Sequence, residues 1–391
     1  LSCKNLKLLL ALAAAAMAAL TARGRPDVAN DKPFDEKKDL IPENVSLWPE
    51  SMLWDKDITL RAGAGYKDNV LLSPSKPQGS AFFASGLDLA VFRIPLDGLE
   101  VNLAITADDT RFLRDVNGVQ GEDLFLASAR VQKYFAGHWR SGLEIKGSYV
   151  DQVIEALSDT GGVHSIVAKG YTLTARPYVR HDFGTNWWVQ LEAPISREWW
   201  QFPLDDYWKL GGQLILGFDY GHRSQVSLSF GGFYIPHDEW VALDASGNQL
   251  DDTKLAVWRQ IAEVKSEHNW DTARHWCSTT RATVQRDRDN GEGFFDYYRY
   301  SVTEELCFRT AAWEIRGSAG LSYSDFPVQA VTTPDSLKLY LTTLDLTLRL
   351  ERRLYKTLRL FGQFEHEQTV SNDPSSEYKV NSVVGGLSWR F

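Results

Sequence analysis

The chain of 391 residues carries 42 Lys and Arg against 51 Asp and Glu, a net charge of -9 that argues against nucleic acid as a partner. Mean hydropathy is -0.30, and past Leu8 to Leu20 no apolar run is long enough for a spanning helix, which argues against a helical membrane protein. A membrane barrel is not excluded, because strands that alternate lipid-facing and lumen-facing residues average to ordinary hydropathy.

In chain order, Lys4 and Lys7 precede the apolar run Leu8 to Leu20, the pattern of an export signal over residues 1–22. Cys3 lies ahead of that run, which argues against a lipoprotein acylation site. Residues 23–55 are rich in charge and Pro without apolar period, and read as a flexible periplasmic lead-in. From residue 56 to 391 the chain falls into segments of period two, the signature of strands with two distinct faces. Their centres are Leu60, Leu89, Leu103, Ala129, Leu143, Leu173, Leu191, Leu214, Leu228, Ala262, Ala282, Val302, Ala319, Leu346, Leu360 and Val384.

The connections alternate in length. Those after even-numbered segments are short, such as Pro95 to Gly98, Tyr220 to Arg223 and Tyr355-Lys356. Those after odd-numbered segments are longer and polar: Lys67 to Ser80, Ala107 to Glu122, Asp151 to His164, Pro236 to Lys254, Asp325 to Ser336 and Val370 to Glu377. This rhythm predicts an all-β fold, a transmembrane up-and-down antiparallel β-barrel of about 16 strands (14–18). Both termini are then periplasmic and the long loops outside. The acidic stretch Pro236 to Lys254 is the strongest candidate for a loop folded inward as a constriction or outward as a binding surface.

Charged residues recur on one face of these segments at a density that a dry core would not tolerate. The candidate lumen set is Arg130, Glu144, Lys146, Arg176, Arg180, Glu192, Lys209, Asp219, Arg259, Glu263, Lys265, Arg281, Arg299, Glu305, Arg316, Asp345, Arg349, Glu351, Arg359 and Glu365. Basic residues outnumber acidic ones there, and the set reads either as a structural lining of cross-strand ion pairs or as an anion-selective filter. The 14 Trp, 15 Tyr and 19 Phe suit interface girdles, with clusters at Trp187-Trp188, Trp199-Trp200, Trp208, Trp240, Trp258, Trp270, Trp276, Phe294-Phe295 and Tyr297-Tyr298. Glu198-Trp-Trp-Gln-Phe-Pro203 in an outer loop is an alternative stacking surface for a sugar ring.

Cys277 and Cys307 flank one hairpin centred near residue 292 and point to the same face; they either form a cross-strand disulfide or stand as two lumen thiols. Nucleophile-elbow, zinc-protease, P-loop and dinucleotide fingerprints are missing, so no enzyme activity, metal or cofactor is expected. His366 between Glu365 and Glu367 reads as a solvated rim.

The last stretch, Val383-Gly-Gly-Leu-Ser-Trp-Arg-Phe391, alternates Val383, Gly385, Leu387, Trp389 and Phe391 with polar or small residues. It resembles the final strand of Gram-negative outer-membrane β-barrels, and the resemblance implies that Leu387, Trp389 and Phe391 act as the signal read by the barrel-assembly machinery. Gly63-Ala-Gly-Tyr-Lys-Asp-Asn-Val70 resembles the opening of putative porin-type barrels and, more weakly, of surface-lipoprotein assembly modifier barrels. Those likenesses imply an outer-membrane location, contact with outer-membrane lipid, and a porin-like channel for small hydrophilic solutes, with a homo-oligomer as one arrangement. The alternatives are a secretion or assembly barrel, for polysaccharide or surface lipoproteins, and a plugged structural or receptor barrel.

Overall fold

The computed structural model describes residues 54–95, 98–157, 163–221, 223–331 and 337–391; the expected signal (1–22) and nearly all of the lead-in (23–55) lie outside the described residues. The strands are β1 Trp54–Lys67, β2 Ser80–Arg93, β3 Leu99–Val116, β4 Val119–Phe135, β5 Trp139–Leu157 and β6 Val163–Phe183. Then come β7 in two halves (Trp187–Glu192 and Ile195–Trp200), β8 Tyr207–Tyr220, β9 Ser224–Leu243, β10 Gln249–Asn269 and β11 Trp276–Asp289. The last are β12 Tyr297–Arg309, β13 Trp313–Ala330, β14 Lys338–Arg353, β15 Leu358–Ser371 and β16 Tyr378–Arg390. Each of the sixteen sequence centres falls in a strand of its own.

The halves of β7 are one strand. Its register against β6 is continuous from Tyr178↔Glu192 to Ala175↔Ile195, and against β8 from Glu192↔Gln213 to Ile195↔Leu210. The gap falls at Pro194, which has no N–H to give the ladder, yet its carbonyl still accepts from Gly211 N at 3.1 Å. Every strand pairs antiparallel with its sequence neighbours, and β1 pairs with both β2 and β16, so the sheet closes on itself and leaves no edge. The barrel has a turn end, which carries the short connections with the start of β1 and the end of β16, and a hairpin end, which carries the others.

Several expected loops are instead strand. β3 and β4 run to Val116 and from Val119, joined by Asn117 and Gly118 at φ 52 and 89, the paired positive angles of a type I′ turn. Within Pro236 to Lys254, β9 continues to Leu243 and β10 begins at Gln249, leaving a short turn whose Asp244 side chain accepts from Ser246 N and Asn248 N. Ladder bonds do not end where lipid ends, and polar residues of period two extend a strand as well as apolar ones. The candidate loop at Pro236 to Lys254 is therefore mostly paired strand, with a register shift after Pro236 and with Ala242 and Leu243 buried.

The β5–β6 hairpin is the segment that turns inward. By register Val153 and Glu155 share a strand face with outward Tyr149, but Val153 is buried among Phe82 and Phe112 on the inner wall, Val70 and Leu72 of the β1–β2 connection, and Val380. Glu155 accepts from Thr369 Oγ1 of β15 at 3.4 Å, and Ser165 Oγ donates to the Leu72 carbonyl at 3.1 Å. Ile154, on the opposite face of the hairpin, lies among Trp200, Tyr207, His237 and Tyr297. Both faces can meet inner walls only if the hairpin stands across the bore.

Candidate functional site

The two faces of the wall differ sharply. Outward positions are apolar and exposed: Leu143 and Ile145 on β5, Leu173 and Val179 on β6, Leu214 and Leu216 on β8, and Leu346, Leu348 and Leu350 on β14. Aromatic pairs border this belt. At the turn end Trp139 packs on His181 at 4.3 Å, Trp187 on Phe218 at 4.7 Å and Trp276 on Phe308 at 4.4 Å. At the hairpin end Tyr149 packs on Tyr171 at 4.9 Å, Tyr234 on Trp258 at 4.7 Å, and Tyr323 on Tyr340 at 6.2 Å. A closed barrel with exposed leucines between two aromatic rings satisfies every backbone group internally and presents hydrocarbon to hydrocarbon. The protein is an outer-membrane β-barrel.

No family model matches the chain, and no curated protein matches it. Among solved structures it is similar to a bacterial polysaccharide outer membrane secretin (11% identity, TM-score 0.40, 85% of this chain and 98% of that one). It is also similar to OccAB1 of Acinetobacter baumannii (6%, 0.45, 86% and 97%) and to the anion-selective porin from Comamonas acidovorans (10%, 0.42, 86% and 99%). Likenesses at this level carry nothing about cargo.

The barrel's candidate lumen residues all occupy inward register positions, and they meet in a few networks. On β4 to β7, buried Glu144 faces Arg130 at 3.0 Å, Lys146 at 3.4 Å and Arg176 at 3.4 Å, while Arg176 also reaches buried Glu192 at 3.5 Å. Nearby, Arg180 pairs with Asp182 at 2.8 Å and stacks over Trp188 at 4.0 Å, with Asp219 at 3.9 Å. Lys209 sits over the Phe233 ring, Arg259 binds Asp287 at 2.7 Å, Arg281 lies 3.5 Å from Glu263, Lys265 pairs with Glu267, and Arg299 donates to Ser324 Oγ at 3.0 Å. Glu305 is exposed on β12, and Asp345 stands opposite Gly320. Glu365 and Glu367 face inward, whereas His366 faces outward and bonds Asn381 at 2.8 Å, so the three side chains do not converge.

A chamber of about 570 Å³ opens at the turn end of the bore. Arg316, Arg349, Glu351 and Arg359 from the sequence set line it, together with Arg61, Asp88, Arg309, Glu314, Arg353, Asp57 and Arg390, which the set omitted. Seven arginines against four carboxylates make this wall locally basic. Glu314 holds three of them, Arg309 at 3.1 Å, Arg359 at 3.0 Å, and Arg316. Alternation alone would have found Arg61 and Glu314, since both lie on the inward parity of their strands.

At the hairpin end a cavity of about 320 Å³ lies beneath the folded hairpin, lined by Ile154, Trp200, Tyr207, His237, Trp240, Arg259 and Tyr297. His237, beyond the Tyr234–Trp258 girdle pair, has its pKa lowered by burial, although Asp205 lies 3.3 Å away. Several expected girdle aromatics belong to the interior instead. Trp188 is buried against Arg180, and Phe295 and Tyr297 pack in apolar clusters inside the hairpin end. In Glu198 to Pro203, Glu198 to Trp200 are strand, and Phe202 stands 88% exposed at the tip.

Cys277 and Cys307 are directly opposed on β11 and β12 as free thiols. Arg309 N donates to the His275 carbonyl at 2.7 Å in the same register, which makes every second pair, Cys277↔Cys307 included, a hydrogen-bonded one. Such pairs hold their Cβ atoms about 5.5 Å apart, more than the roughly 3.5–4.5 Å of a disulfide. Thiol titration of the unreduced, folded protein should give two thiols per chain; none would show that the strands shift to bond.

Proposed function

We propose that this barrel is a channel of the outer membrane, inserted with both termini and the short turns toward the periplasm, that passes small hydrophilic solutes. The observation that carries this reading is the continuous ion-paired inner face, which needs water, leading into the chamber of about 570 Å³ at the turn end. The opposing charges in most networks support a structural lining, and the basic excess at the chamber favours anionic solutes there. Single-channel recording in planar bilayers tests it: ohmic steps are expected, and a silent, correctly folded protein overturns it.

A second reading, a plugged barrel, is favoured by one observation: the β5–β6 hairpin and the buried cluster around Val153 occupy the hairpin end of the bore. Conductance separates the two. Glu144→Gln should leave Arg130, Lys146 and Arg176 in excess, shift the reversal potential in a salt gradient toward anions, and destabilise the barrel by about 1–3 kcal/mol. An unchanged reversal potential would place this network off the conduction path. Outer-membrane lipid and, through Leu387, Trp389 and Phe391, the assembly machinery complete the expected partners.

A further inference from the structure

The cavity of about 320 Å³ beneath the folded hairpin has no part in the channel reading, which rests on the inner face and the turn end. Its wall is aromatic. Tyr207 lies 5.0 Å from His237, His237 stacks on Trp240 at 5.3 Å, and Trp240 stacks on Phe295 at 6.1 Å. Trp200, on the inward parity of β7, completes it. Its indole lies over Gly170 of β6, where a Cβ would come within 2.4 Å of the ring, and its Nε1 donates to Glu198 at 3.3 Å. Among the described residues no other ring stacks on Trp200, so a glycine holds one face of a pinned indole that borders open space.

Polar groups in the same wall have hydrogen-bonding capacity left over. Arg259 gives Nε and Nη2 to Asp287 at 3.0 and 2.7 Å, and its Nη1 bonds nothing among the described residues. His237 Nε2 is likewise without a partner among them, its Nδ1 lying on the Asp205 side. The charges here are compensated, unlike those of the turn-end chamber: Arg259 by Asp287, and the Asp205 carboxylate by the N–H groups of Glu239 and Trp240 at 3.1 and 2.9 Å. An anion would find the guanidinium already claimed, and a cation would find it in the way. A neutral solute with one apolar face and hydroxyls that both donate and accept suits this wall. The volume lies at the lower end of the roughly 300–1,000 Å³ of small-molecule sites, a size for a single ring more than for a long chain.

We propose that the hairpin-end cavity is a binding site for a neutral sugar, whose pyranose ring stacks on Trp200 and whose hydroxyls bond Arg259 Nη1 and His237 Nε2. A pyranose has the two properties the wall asks for, a face of C–H groups and a rim of hydroxyls. The site lies in the bore but does not require that the bore conduct.

Titration calorimetry on the full chain, folded in detergent, tests it. Glucose, galactose, mannose and maltose serve as neutral probes; gluconate, choline and indole are the anionic, cationic and unhydroxylated ones. At least one neutral sugar should bind saturably and more tightly than all three of the others. Trp200→Ala should weaken that binding about tenfold or more, and Trp200→Phe, which keeps a ring, by no more than about threefold. His237→Phe, which keeps the stack on Trp240 and removes the nitrogens, should weaken it about fivefold or more. Trp199→Ala, on the lipid side of the same strand, should leave it unchanged. Only variants that keep the compact unheated form on electrophoresis are compared. No saturable sugar binding by the folded natural chain, tighter binding of gluconate, choline or indole, or an unchanged affinity in either Trp200→Ala or His237→Phe each overturn the proposal. None of these readouts needs ion flow, so a silent barrel would sink the channel reading and leave this one standing.

Discussion

Conductance should rise several-fold between about pH 5 and pH 8, and Glu155→Gln should hold it at the low-pH level throughout. Glu155 sits on the part of the β5–β6 hairpin folded into the bore, beyond the last girdle pair on that hairpin, Tyr149 with Tyr171. Burial and the facing Glu367 carboxylate push its pKa up to about 7, against smaller opposing effects of the Thr369 hydroxyl and the Arg299 guanidinium. Glu367 is itself bonded by the Tyr378 hydroxyl, so it is held in place. The docked hairpin thus binds the proton more tightly than a released one would, and docking is favoured when Glu155 is protonated. As pH rises from the ordinary carboxylate range through about 7 the docked state loses stability, by about 1–3 kcal/mol after allowance for partial exposure. The shift favours the released hairpin by about fivefold or more. A pH response unchanged in Glu155→Gln would assign the titration to another group, and a pH-independent natural protein would mean that the hairpin does not move.

Gly386→Val should prevent closure of the barrel. β1 and β16 form the seam, and a Cβ at Gly386 would lie 2.1 Å from the Ala62 carbonyl oxygen and 2.6 Å from Gly63 Cα. Both are backbone atoms of the partner strand, so no side-chain rotation relieves the clash, and the paired strands must separate. Several ladder bonds would be lost in a medium that offers no water to replace them. Gly362→Val is the matched control, because a Cβ added there meets nothing within 4 Å. The expected readout is electrophoretic: the control keeps the compact unheated form, and Gly386→Val runs as unfolded chain. A compact Gly386→Val barrel would mean that the seam can widen.

The barrel was legible because period two persists through all sixteen strands; the short-long rhythm of connections is only partly kept, since the β3–β4 and β9–β10 connections shrink to short turns. Two things were not. Strand length beyond the membrane was hidden, since the polar alternation of Ala107 to Glu122 and Pro236 to Lys254 forms strand as readily as loop. The inward hairpin was hidden too, because Val153 and Glu155 sit on the parity that faces lipid lower in β5, and only the bend after Asp151 sends them into the bore. Trp187 and Trp188 illustrate the limit at the residue scale: one is a girdle residue and the other is buried under Arg180, and composition cannot tell them apart. Where alternation was applied strictly, as at Arg349 and Glu351, the inward assignment matched the register.

The tight turn at Asn117-Gly118 has a practical consequence. It caps a ribbon that stands clear of the belt, and a Cβ at Gly118 would meet nothing within 4 Å. Val116 and Val119 on either side are buried, so a short peptide epitope belongs at the exposed Asn117-Gly118 tip itself, where antibody access on intact cells would report directly which rim of the barrel looks outward.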